Sequence, residues 1–480
     1  MNGPDRIREA VNAAIAAPRR RPKKQQRTDT LDESAGSLAT SEDALALDFV
    51  ERYGARFRWS PGMDWMHDEG DHWSRDERLH RFDLARLVGR ASAHACGDEK
   101  IGVRLASAKT VGAIVTLAQS DRRIVLSTEA WDADVLALNT PGGVIDLRTG
   151  TARDRGGEYH TQITRVAPDA ALACANWKRF IAEVFLGDAD MIEFVQRLLG
   201  YILTGDRREQ KLFFLYGLGA NGKSTLVDVV LWILGSYGLK LPATTLMQTG
   251  IGQHPTELAQ LRGKRLAMSS EIDEGLYWAE SRIKELTGDE TLTARFMRQN
   301  FFEFRMTQKH VIVGNYKPRM RGGDAALARR FVLVPFNAKF QGAQRDTRML
   351  DKLRAEAPAI LAWMVEGAIK WADSGLAIPA SVTAASAEYM TDNDDVALWL
   401  DECCIRSVDA EARGGDLYES FAFWIKARGQ HAPSMRVWAD RMNVMSGVTK
   451  RRSGGIRYSG VRLTAEEVSR LASPTSGWAR

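Results

Sequence analysis

The run LFFLYGLGANGKSTLVDVVLWILG, residues 212–235, sets glycines, a lysine and two hydroxyls between two apolar runs. Within it, Gly217, Gly222, Lys223 and Ser224 meet the spacing G-x-x-x-x-G-K-[ST]. KLFFLY has the continuous apolar character of a buried parallel strand, and STLVDVVLWIL has helical periodicity. Strand, glycine-rich turn and helix in that order demand an α/β fold, because parallel strands are joined by crossover helices. Glycines also let consecutive N–H groups converge on phosphate oxygens, and the helix N-terminus adds the positive end of its dipole. Lys223 is then placed to neutralise β- and γ-phosphates and Ser224 to ligate Mg2+, with Gly217, Gly219, Asn221, Gly222 and Thr225 completing the cradle. ATP and Mg2+ are the expected ligands. The plain alternative is a strand-to-helix turn that binds nothing.

A triphosphate site needs a carboxylate from a neighbouring strand. In GKRLAMSSEIDEG, residues 265–269 read as a strand, so Glu271 and Asp273 fall at its C-terminal edge, where open α/β sheets bind ligands. Glu271 is assigned to magnesium binding or water activation, with Asp273 and Glu274 as secondary carriers; a solvated acidic turn is the alternative. The strand in KHVIVGNYKP ends at Asn315, which either orients the attacking water or begins the turn before Pro318. GGDAALARRFVLVPF sets Arg329 and Arg330 before a fourth strand, as salt-bridged structure or as a finger reaching a neighbouring subunit's nucleotide.

The ordered blocks LLGYILTGDRREQKLFFLYGLGANGKSTLVDVVLWILGSYG, LRGKRLAMSSEIDEG, IKELTGDETLTARFMRQNFFEF, HVIVGNYKP and ALARRFVLVPF resemble the phage/plasmid primase-helicase family, superfamily 3 helicases of the phage and poxvirus type. NTPGGVIDLRTG resembles that family's lead-in to its helical pre-helicase unit, so the likeness spans residues 140–336. It implies a P-loop, AAA+-like core with Lys223 and Ser224 in Walker A, Glu271 in Walker B, Asn315 as sensor 1, and Arg329 or Arg330 as the trans finger. It further implies a homo-oligomeric ring, a hexamer, gripping single-stranded DNA in its pore. Residues 284–304 correspond to the pore hairpin, which makes Arg295, Arg298, Gln299 and Asn300 candidates for DNA contact. Basic and amide residues flanked by aromatics suit a grip that follows the nucleic-acid backbone. Many members carry a primase domain ahead of this core; the helical unit and its lead-in occupy much of that space here, so priming is expected from a separate primase or initiator protein.

The remainder is read from composition and period. The 480 residues are 44% hydrophobic, enough for several cores, and the net charge of +5 permits a nucleic-acid partner without demanding one. No apolar run is long enough for a membrane span, and the expected location is the cytosol of a bacterial host. Four cysteines, Cys96, Cys174, Cys403 and Cys404, lack metal-site spacing and read as reduced thiols. Residues 1–43 form a basic, then polar leader, either a nucleic-acid arm or a solubilising tail. Residues 44–164 read as an α+β region of short strands and hairpins with a helix near 79–95. Its Trp59, Trp65 and Trp73 read as core rather than base-stacking residues, and Asp132-Ala-Asp134 as a chance pair rather than a metal site. Residues 165–205 are a helical unit, 206–340 the ATPase core, 341–400 a helical segment and 401–480 a small basic unit. In that last unit two helices and the ribbon KRRSGGIRYSGVRL read as a winged helix that binds duplex DNA, or as a docking module of the same shape. Residues 434–445 would be its recognition helix with Arg436 and Arg441 as contacts, and Lys450, Arg451 and Arg452 its wing. A P-loop switch or a DNA-packaging or mobilisation motor remains the alternative for the whole chain.

Overall fold

A computed structural model describes residues 40–248, 255–270, 276–297, 300–320, 325–342, 345–392, 394–428, 431–443, 445–452 and 455–472. The chain divides into two compact units. The first takes residues 40–51 and 84–118 and is helical: most of α1 (Glu42–Tyr53) and α2 (His80–Ala95), then α3 (Glu99–Leu105) and α4 (Ala108–Ala118). Leu45, Phe49 and Val50 on α1, and Val111, Ile114 and Val115 on α4, recur at helical spacing and are buried. The sequence led us to expect hairpins across this region with a single helix; α4 contradicts that. Its AKTVGAIVTLA is rich in β-branched residues, and burial at three- and four-residue intervals overrides their strand preference.

The second unit begins with an antiparallel sheet of β1 (Phe57–Ser60), β2 (Asp64–Asp68) and β3 (Trp73–Arg75). Trp65 and Trp73 are buried and Trp59 is half-buried. Trp73 meets Trp131 and Tyr159 edge-on or tilted at 5.8 and 5.6 Å, and Arg58 lies over the Trp73 ring. A second small sheet, β4 (Ala137–Thr140), β5 (Gly143–Asp146) and β6 (Ala152–Arg153), precedes helices α5 (Ala175–Val184) and α6 (Ala189–Leu203). Asp188 caps α6 by accepting from the Met191 amide.

The centre is a five-stranded sheet, all parallel, in the order β13-β7-β12-β9-β8: β7 (Leu212–Tyr216), β8 (Gly238–Pro242), β9 (Leu266–Ser270), β12 (Lys309–Gly314) and β13 (Phe331–Pro335). Both faces are covered, which is why these strands read as unbroken apolar runs. Phe213, Leu215, Val311 and Val313 belong to one core, with α5, α6, α7 (Lys223–Leu234) and α10 (Ala357–Ser374). Leu212, Phe214 and Ile312 face the other, with α8 (Glu280–Gly288) and the hairpin β10 (Thr291–Ala294) and β11 (Phe302–Arg305). Helices α6 and α10 touch backbone to backbone: a Cβ on Gly200 would lie 2.0 Å from the Ala368 amide nitrogen. Between β13 and α10 runs α9 (Met349–Ala355).

The sheet's N-terminal edge holds buried cations. Arg265 donates to the carbonyls of Leu203 and Ala137, and Lys309 to the carbonyl and hydroxyl of Thr204 while lying 4.5 Å from the Tyr201 ring centre. Leu203 and Thr204 close α6, where unpaired carbonyls and the negative end of the dipole favour a cation. Burial still pushes Lys309 well below the usual lysine range and His310 down to about 3, so the histidine is neutral.

The C-terminal elements are α11 (Asp395–Cys403), β14 (Cys404–Arg413), α12 (Gly414–Ala427), α13 (Met435–Met442), β15 (Thr449–Arg452), β16 (Ile456–Leu463) and α14 (Ala465–Ala472), with an antiparallel sheet ordered β14-β16-β15. Val396, Trp399 and Leu400 of α11 share a core with Phe421, Trp438 and Tyr458, so this unit starts before residue 401, the boundary expected from sequence. Among the described residues no single helix is long and apolar enough to cross a membrane.

Candidate functional site

The loop of residues 217–222 joins β7 to α7 at the C-terminal edge of the sheet. Gly219 and Gly222 have φ of 98° and 85°, and Ala220 47°, left-handed conformations of the kind from which anion-binding loops are built. Gly222 has a second constraint: a Cβ there would sit 2.6 Å from Val184 Cγ2 on α5. Asn221 is buried; its amide donates to the Phe336 carbonyl at 3.1 Å, tying the loop to the end of β13. Asn221 therefore holds the loop with its side chain and offers a ligand only its backbone.

Lys223 is 3% exposed, yet its Nζ projects to the loop and donates to Gly217 O at 2.7 Å, Asn221 Oδ1 at 3.0 Å and Asn315 Oδ1 at 3.1 Å. All three are neutral oxygens. Burial with no charge to offset it pulls the ammonium down to about 8. Asn315 reaches Lys223 because β12 lies beside β7 in parallel register, Gly314 opposite Tyr216. Ser224 is exposed and Thr225 half-buried, and both line a cavity of about 870 Å³ with Lys223, Asn315 and Ser270. A buried cation beside a left-handed glycine loop at a helix N-terminus is the donor set a polyphosphate needs, so the residues present fit a nucleoside triphosphate.

Ser270 closes β9, and β9 pairs in parallel with β12, so Ser270 lies at the same edge of the sheet as Asn315. Glu271, Asp273 and Glu274 lie outside the described residues.

Arg329 and Arg330 precede β13 at the opposite edge of the sheet, since Phe331 pairs with Leu212 at the start of β7. They differ in environment. Arg330 is buried, donates to the Ala326 carbonyl at 2.7 Å and lies against Gly288, whose added Cβ would be 2.9 Å from Nη2. Arg329 is exposed, and its carbonyl accepts from Lys211. Of the two, the structure gives Arg330 a packing role.

In the β10–β11 hairpin Arg295 is exposed with its guanidinium 4.8 Å from the centre of the exposed Phe301 ring, and Asn300 is exposed. Arg298 and Gln299 lie outside the described residues. The loop end of the hairpin, where Phe302 pairs with Ala294, rests on the β1–β2 turn: Phe302 packs under Gly62 and Arg262 lies over the Phe302 ring. In the C-terminal unit Trp438 and Met442 point α13 into the core, Arg436 is exposed and Arg441 half-buried, and Lys450, Arg451 and Arg452 are exposed on β15.

The aspartates of the early pair are structurally engaged. Asp132 accepts from the Thr161 amide and hydroxyl, and Asp134 pairs with Arg148, which holds its carboxyl below the usual range. Among the described residues no group of histidine, cysteine, aspartate or glutamate side chains could hold a metal ion. Sequence reasoning missed Phe180 and Glu183 on α5 and Phe340, Met349 and Leu350 beyond β13, all of which line the cavity. No motif marks them; their place follows from how α5 and α9 pack over the loop.

Residues 46–186 match the family model described as D5 N terminal like, and residues 215–330 match a family of unknown function, DUF5906. The chain is 26% identical over 339 residues to a protein of Acanthamoeba polyphaga mimivirus named "Putative helicase L207/L206", covering 62% of this chain and 33% of that one. The chain thus spans about a third of the length of that curated relative. Structures of the NrS-1 C terminal region, in apo form, are similar at 12% and 11% identity with TM-scores of 0.49 and 0.48, covering 87% and 85% of this chain and 99% and 96% of theirs. The family-model match over residues 46–186 and the mimivirus relative bear out the resemblance to the phage-type primase-helicase family.

Proposed function

We propose that this chain is an ATP-hydrolysing DNA helicase of the replication type, acting as a ring on single-stranded DNA. The observation that carries the reading is the Lys223 ammonium, buried at the end of the glycine loop and held by Asn315 from the adjacent strand. In this reading the loop amides and Lys223 bind the β- and γ-phosphates, and Asn315 orients the water that attacks. Ser224 and Glu271 would hold Mg2+, which supplies neutralisation of charge on the phosphate oxygens.

Arg329 serves as the finger in trans. It lies at the sheet edge opposite its own loop, one five-residue strand or about 17 Å away, so its own nucleotide is out of reach. The β10–β11 hairpin, with Arg295, Arg298, Gln299 and Asn300, grips the single strand in the pore. The C-terminal order of helix, strand, two helices and a two-stranded ribbon supports a winged helix, with Arg436, Arg441, Lys450, Arg451 and Arg452 on duplex phosphates.

The test is ATP hydrolysis with and without single-stranded DNA, and strand separation on a forked substrate. Wild type should do both and Lys223→Ala neither, with unchanged circular dichroism. Hydrolysis without strand separation would replace the helicase with a P-loop switch, and normal turnover in Lys223→Ala would remove the site assignment.

A further inference from the structure

The Lys223 cavity has two unlike flanks. One is charged, with Asp228 and Lys240 paired at 3.1 Å. The other is apolar and formed by α5 and the chain after β13. Its Phe340, Met349 and Leu350 are only partly buried against the core, so apolar surface faces the cavity. Phe340 is fixed beside the phosphate loop, its amide donating to the Ala220 carbonyl at 2.8 Å. Phe180 of α5 lies at the same place: a Cβ on Gly222 would be 3.3 Å from its ring.

The two walls are tied together behind the cavity. Glu356, between α9 and α10, accepts from the Asn176 amide at 3.0 Å, the Asn176 side chain at 2.7 Å and the Trp177 amide at 2.9 Å, capping the first turn of α5. The apolar flank is a preformed slot adjoining a polyphosphate site, so its occupant is the flat, apolar part of the same ligand.

We infer that this flank seats the base of a purine nucleoside triphosphate, stacked against Phe340 and enclosed by α5 and α9; the inference rests on the phosphate reading above. The polar side chains on this wall do not form a fixed edge reader. Glu183, Arg345 and Thr347 are exposed, and Asp346 is engaged by the Arg348 amide and Lys352. Recognition is by stacking area, which favours purines over pyrimidines and separates adenine from guanine little.

The experiment measures binding of ATP, GTP, CTP and inorganic tripolyphosphate to the full chain by titration calorimetry. Wild type should bind ATP and GTP within a few fold of each other, and both roughly tenfold more tightly than tripolyphosphate. Phe340→Ala should weaken ATP roughly tenfold and leave tripolyphosphate unchanged, which also reports an intact fold, while Phe340→Trp keeps ATP affinity. If Phe340→Ala binds ATP like wild type, or tripolyphosphate weakens equally, the base subsite is wrong and the phosphate site stands. Preference for one purine by a hundredfold would overturn recognition by stacking. If wild type binds neither ATP nor tripolyphosphate, the phosphate reading fails first.

Discussion

Nucleotide binding at alkaline pH should draw a proton onto Lys223. The side chain is almost fully buried against three neutral oxygens, and burial lowers its pKa from 10.5 to about 8. At about 1.4 kcal/mol for each unit of pKa, the free protein disfavours the ammonium by roughly 3 kcal/mol. A group whose folded pKa lies below its unfolded value weakens the fold below the folded pKa, and the penalty disappears as pH rises from about 8 towards 10.5. Polyphosphate charge beside the amine favours the charged form and returns the pKa to the ordinary range. At pH 8.5 roughly a quarter of free sites are protonated, so binding should take up roughly three quarters of a proton; at pH 7 the uptake falls to roughly a tenth. Calorimetry with a non-hydrolysable ATP analogue, in two buffers of different ionisation heat, reads this number directly. Lys223→Arg keeps a charge at every working pH and should show no such uptake. Equal uptake at pH 7 and 8.5, or uptake that survives Lys223→Arg, would refute a buried ammonium that meets the phosphates.

Mixing Arg329→Ala subunits with Lys223→Ala subunits should restore part of the ATPase that each lacks alone, since fingers supply roughly three to five orders of magnitude in rate. Arg330→Ala should instead lower the melting temperature, by loss of roughly 1 to 3 kcal/mol from a buried hydrogen-bonded group, with no rescue by mixing. Glu271→Gln should bind ATP with magnesium and hydrolyse it poorly; lost binding with normal turnover per bound nucleotide would move the role to Asp273. Removing residues 395–480, the whole C-terminal core rather than a cut through it, should weaken duplex binding and flatten its salt dependence while sparing basal ATPase. An unchanged salt slope would favour a docking module.

The α/β fold and the glycine loop between β7 and α7 were legible in the chain itself. Spacing of glycines, lysine and serine is a local property, and a strand buried on both faces must be apolar throughout, so KLFFLY, RLAMS and HVIVG announce a parallel sheet without reference to distant residues. Arg329 and Arg330 show where that legibility stops. They are neighbours of one chemical type, and only the packing of Gly288 against one guanidinium separates a structural arginine from an exposed one. Lys309 opens a strand with a charged side chain and is nevertheless buried, because the closing carbonyl of α6 meets it from more than a hundred residues earlier in sequence. The apolar flank of the Lys223 cavity carried no sequence signal. Phe180 and Phe340 become neighbours of the loop only when α5, β13 and α9 converge on it, and no local pattern records which distant helix will cover which turn. Chemistry fixed by spacing along the backbone was written in the sequence; chemistry that depends on which surfaces bury one another was decided by the tertiary fold.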